Sequence, residues 1–91
     1  MADNLATKRL TGLIDERLEI RSNLADGDIS EAEYEATRLR LRSQARGIGQ
    51  RLYDEGGISL MQSVCDGVWK HSVKHMSILN SWWNRIGGWM A

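Results

Sequence analysis

Glycine alone punctuates this chain. Its 91 residues include nine glycines and no proline, so no residue but glycine can force a helix to stop. The breaks fall at Asp26-Gly27, Gly56-Gly57 and Gly87-Gly88. Between them apolar residues recur three and four positions apart, the period of a helix with one buried face. No segment alternates as a strand does. The expectation is an all-α protein: a small helical bundle of three long helices plus a short C-terminal helix, built on an N-terminal antiparallel helical hairpin. At this length it is a single helical domain, 1–91, with a charged hairpin over 1–55 and an apolar, Trp-rich half over 56–91.

The first helix reads from Asp3 or Asn4 to Ala25, with Leu5, Leu10, Leu13, Ile14, Leu18, Ile20 and Leu24 as its apolar stripe. Gly27 is the natural left-handed residue after it. Ser30 then stands as an N-cap with Glu33 three residues on, a capping box, and Ile29 can staple onto Tyr34. The second helix runs from Glu31 to about Glu55 with a seam of Tyr34, Leu41, Ala45, Ile48 and Leu52. Gly47 and Gly49 inside it mark a kink or the close approach of another helix. A third helix runs from Ser59 to about His75, with Leu60, Met61, Val64, Cys65, Val68 and Trp69 along one face. A short fourth, Ile78 to Ile86, carries Leu79, Trp82 and Trp83, and Trp89 and Met90 follow as a lock back onto the bundle.

The run from Leu24 through Asp26-Gly27-Asp28-Ile29-Ser30 to Glu33-Tyr34, with Arg38 and Leu41 beyond it, resembles the SHOCT motif, a short helix–turn–helix of many bacterial proteins. The resemblance covers about residues 13–42; Arg42 stands where a second leucine is common. It implies an interaction or oligomerisation module and no activity. Leu52, Gly56-Gly57, Leu60-Met61-Gln62, Trp83, Ile86-Gly87 and Trp89 are similar to the tails of small bacterial proteins, a likeness that implies no function.

Twelve basic and twelve acidic residues give a net charge of zero, so no global field draws the chain to nucleic acid or anionic lipid. Residues 1–46 hold eight basic and nine acidic side chains; 47–91 hold four and three. A single cysteine, Cys65, excludes an internal disulfide framework and fits a reducing, cytoplasmic setting. The start, MADNLATKRL, lacks the apolar run and cleavage site of a secretory signal, and no stretch is long and apolar enough to span a membrane.

Four patterns could carry chemistry. With Gly27 at the sixth position of a calcium loop, Ile29, Ser30 and Glu33 fall where that loop needs them, but Ser22 and Leu24 replace its opening ligands. The capping box accounts for Ser30 and Glu33 without metal. His71 and His75, four apart near Trp69, could form half a zinc site or one wall of a small-ligand pocket. Two solvated histidines near a helix C-terminus are the plainer reading. Arg38, Arg42 and Arg46 form a row that could meet nucleic-acid phosphates, although acid-first, base-last order along a helix is what the macrodipole favours. Trp82, Trp83, Trp89 and Met90 are either ordinary core packing or the candidate interaction surface; neighbouring indoles on a helix point about 100° apart, which argues for a second contact surface beside the core. No catalytic triad, paired carboxylates, phosphate loop, cofactor site or complete metal site is assigned. The expected function is a non-enzymatic helical scaffold or adaptor, binding itself as a homodimer or another protein.

Overall fold

The computed structural model describes residues 2–70 and 73–89, with side chains from Leu5 onward. It is all-helical: α1 spans Ala2–Ala25, α2 spans Glu31–Trp69 and α3 spans Val73–Trp83, with no strand among the described residues. None of these helices is long and apolar enough to cross a membrane.

α1 ends where its chemistry dictates. Gly27 takes φ +80°, its N–H donates to the Leu24 carbonyl at 3.1 Å, and the Asp28 N–H donates to the Asn23 carbonyl at 2.8 Å. These two bonds are a Schellman motif, satisfying carbonyls the helix would otherwise leave orphaned. Ser30 then opens α2, its hydroxyl accepting from the Glu33 N–H at 3.1 Å. The Glu33 carboxylate takes a bond from that hydroxyl at 3.3 Å. Across the turn, the Arg17 guanidinium lies 5.5 Å from the centre of the Tyr34 ring, and Arg40 pairs with Glu16 at 2.7 Å.

α2 absorbs two of the expected helices. Gly57, at φ +68° and ψ −161°, is not helical, and it folds α2 into arms 31–56 and 58–69. A side chain would be strained at that φ, so the break belongs to glycine. The second arm ends earlier than expected, at Trp69, and His75 belongs to α3 instead. α3 likewise starts before the expected Ile78 and stops before the expected Ile86. Neither glycine nor proline marks residues 70–73, so periodicity ran through the boundary unopposed.

The core is drawn from every element: Leu10 and Ile14 of α1, Leu41, Ala45, Leu52, Met61, Val64 and Val68 of α2, and Leu79, Trp82 and Trp83 of α3 are all buried. Of the expected α1 stripe, Leu13, Leu18 and Leu24 are half-buried and Leu5 is the one exposed member. It is 59% exposed, and Ala6 is buried in its place.

At the tryptophans the structure follows the core-packing reading. Trp82, Trp83 and Trp89 are buried, with Trp83 fully inaccessible, and so form no exposed surface. Met90 lies outside the described residues. One small core takes both adjacent indoles because α2 is cut to fit. A Cβ on Gly49 would lie 2.5 Å from Trp83 Nε1, so only glycine lets the ring reach the helix backbone. There Nε1 donates to the Ala45 carbonyl at 2.9 Å. Trp89 meets Trp83 edge to face, 5.3 Å between centroids, and donates Nε1 to Asn80 Oδ1 at 3.2 Å. Gly49 thus marks a close approach, with no kink.

Candidate functional site

Arg38, Arg42 and Arg46 do not act as one row. Arg46 reaches over to the end of α3 and donates from Nη1 to the carbonyls of Trp82 at 2.8 Å and Asn84 at 2.9 Å. It replaces the glycine cap that α3 lacks. Arg85 holds the left-handed conformation there at φ +72°, a strain on a residue with a Cβ. Arg46 is therefore part of the fold.

Arg38 and Arg42 turn elsewhere. With Arg17 of α1 and Ser77, Ser81 and Trp82 of α3, they line a cleft of about 230 Å³. A second cleft of about 460 Å³ shares Arg17, Ser77 and Ile78 with the first and adds Leu18, Arg21, Val73 and Lys74. The shared residues make the two one continuous groove. Each helix contributes a pair four residues apart, and so on one face: Arg17 and Arg21 from α1, Arg38 and Arg42 from α2, Ser77 and Ser81 from α3.

Five cations line this groove and no carboxylate does. The nearest counter-charge is Glu35, which takes two bonds from Arg38, Nη2–Oε2 at 2.9 Å and Nε–Oε1 at 3.3 Å. The Arg38 guanidinium, with a smaller contribution from Arg17, holds the Glu35 carboxyl below its ordinary range, and Glu35 in turn raises Arg38. Among the described residues, Arg21, Arg42 and Lys74 make no ion pair or side-chain hydrogen bond. Like charges four apart on a helix cost each helix a few tenths of a kcal/mol. Two such arginine pairs therefore cost stability and leave Arg21 and Arg42 without a structural partner.

The other candidates resolve differently. His75 Nε2 sits 2.7 Å from Asp15 Oδ1, tying α3 to α1; Trp69 is half exposed, and His71 lies outside the described residues. Among the described residues no group of three or more His, Cys, Asp or Glu side chains could hold a metal ion. Around the apparent calcium loop, Ser30 and Glu33 are bonded to each other as a helix cap. Cys65 is buried, its Sγ 3.9 Å from Asn80 Oδ1, and burial pushes its thiol pKa up, with the Asp66 charge adding to it. A further cleft of about 450 Å³ between α1 and α2 carries Arg9, Gln44 and Arg51 but no hydroxyl group.

Sequence reading found Arg38 and Arg42 but missed Arg17, Arg21, Lys74, Ser77 and Ser81. The signal was available as repeated i, i+4 pairing of one polar type on each helix. Only the packing reveals that the pairs face one another. No protein-family model, no curated protein and no solved structure matches this chain.

Proposed function

We propose that this protein is a non-catalytic helical binding module, an adaptor whose working surface is the basic groove and whose partner is anionic. The observation that carries this reading is the convergence of Arg17, Arg21, Arg38, Arg42 and Lys74 on one groove without a lining carboxylate, in a chain of zero net charge. Charges gathered against the chain's overall balance focus potential locally and recruit counter-charge. The hairpin of α1 and the first arm of α2 is the frame. Its antiparallel, SHOCT-like reading is supported by the pairing of Arg17 with Tyr34 and of Glu16 with Arg40 across the turn. Burial of Trp82, Trp83 and Trp89 removes the basis for a homodimer through those indoles.

The test is retention on immobilised phosphate. A protein of zero net charge should pass through phosphocellulose at neutral pH. This one should be retained at low salt and released as salt rises past about 0.1 M, where the screening length falls to about 10 Å. An Arg21→Gln/Arg42→Gln double variant should elute early, whereas Arg9→Gln/Arg51→Gln should not. Equal behaviour of the two variants would remove the groove from consideration.

A further inference from the structure

We infer that the groove is a site for a small phosphomonoester, its phosphate held by Arg17, Arg38, Arg42, Ser77 and Ser81 and its organic part lying along Leu18, Val73 and Ile78. The inference rests on the anionic-partner reading and narrows it.

Three features of the groove select this chemistry. The first is donor count. Three guanidiniums and two hydroxyls line the smaller cleft. A carboxylate has two acceptor oxygens, whereas a phosphomonoester has three equivalent ones and close to two negative charges at neutral pH. Arginine forks and serine hydroxyls from three helices suit a tetrahedral group better than a planar one. The second is concavity. Arginines that read a nucleic-acid backbone track along it in a stripe or channel, whereas here α1, α2 and α3 surround a cleft of about 230 Å³, room for a single phosphate and its ester oxygen. The third is the change of lining along the groove. Past Arg17 and Ser77 the wall becomes Leu18, Val73 and Ile78, with Arg21 and Lys74 beside them. Pockets for small organic ligands have this composition, an apolar wall with a few convergent polar groups.

The pair between Glu35 and Arg38 fits the same role. Bound at two points, the Arg38 guanidinium is held in one orientation before any ligand arrives, which lowers the entropy lost on binding. Arg42 has no such partner and its charge is available to the incoming phosphate.

Calorimetric titration of the full chain with phenyl phosphate, inorganic phosphate and a single-stranded oligonucleotide separates the outcomes. Saturable one-to-one binding of phenyl phosphate is expected, tighter than inorganic phosphate. Arg42→Met should weaken it about ten-fold, the loss of one charge-assisted bond. A Ser77→Ala/Ser81→Ala variant should weaken it several-fold, and Arg51→Met should leave it unchanged. No heat from either phosphate compound, in a protein that phosphocellulose still retains, would overturn the phosphomonoester site and leave the anionic-partner reading standing. Equal affinity for inorganic phosphate would overturn the organic subsite. Tight binding of the oligonucleotide that phenyl phosphate does not displace would assign the groove to a polyanion instead. Absence of both retention and binding would remove both readings.

Discussion

One side of α3 packs Leu79 and Trp83 into the core, while Lys74, Ser77 and Ser81 on the same eleven-residue helix line the basic groove. The two sides differ in how their polar groups are treated. Around Trp83 and Trp89 the donors are matched: Trp83 Nε1 to Ala45, Trp89 Nε1 to Asn80, Arg46 to the Trp82 and Asn84 carbonyls. In the groove Arg21, Arg42 and Lys74 face one another's helices without a partner. A buried polar group left unpaired costs the fold heavily, whereas a solvated cation costs little and stays available. The first side therefore specifies the structure, and the second carries the proposed site.

The largest effect should come from the packed side. Trp83→Ala removes a fully buried indole and leaves the Ala45 carbonyl without its indole donor, a loss of about 3–5 kcal/mol. That is a large share of the stability of a domain this small, so urea denaturation should show a much lower midpoint or no folded baseline. A cost below about 1 kcal/mol would break the distinction between the two sides.

Arg46→Met comes next. It keeps the aliphatic stem and removes the charge-assisted bonds to the end of α3, for about 1.5 kcal/mol. The loss should appear first as faster amide exchange at Ile86 and Trp89, whose N–H groups form the turn that follows α3. Uniform exchange across the chain would show that Arg46 does not hold that end.

Ser30→Ala tests a region outside both sides. It removes the hydroxyl that caps α2 and should cost about 1 kcal/mol in the same denaturation assay, with phosphocellulose retention unchanged. Cys65 should respond less still. Burial raises its pKa, so the folded state favours the neutral thiol. The stability this contributes is present at neutral pH and is lost as pH rises past the ordinary thiol range. Labelling of the native protein by a thiol reagent should accordingly be slow at pH 7, and fast stoichiometric labelling would contradict the burial.

Much of the fold was legible because its signals are local. Gly27 and Gly57 act through their own backbone, Ser30 through a hydroxyl bonded three residues on, and the seam of Leu41, Ala45 and Leu52 through a simple period. The boundary between α2 and α3 was not, since residues 70–73 carry no breaker. The burial of Trp82 with Trp83 stayed one of two readings for a different reason. It depends on Gly49, 34 positions before Trp83, giving up a side chain so that the Trp83 ring can occupy its place. Nothing in the spacing of either residue announces the other. The groove shows the same limit: Arg38 and Arg42 were visible as a pair, but the arrival of Arg17 and Ser77 opposite them is a property of packing alone.

The sharpest comparison is also the smallest effect. Arg42 and Arg46 are one turn apart on α2, and the first lines the groove while the second binds the end of α3. Arg42→Met removes no hydrogen bond and relieves repulsion from Arg38, four residues earlier. Its stability should stay within about 0.5 kcal/mol of the parent, shifted if anything upward. Added salt should narrow even that difference, because screening already relieves exposed like charges. The same substitution at Arg46 should cost about three times as much, with the opposite sign. If Arg42→Met instead destabilises the protein as much as Arg46→Met does, the groove arginines support the fold, and the two sides of α3 are one structure with no site reserved between them.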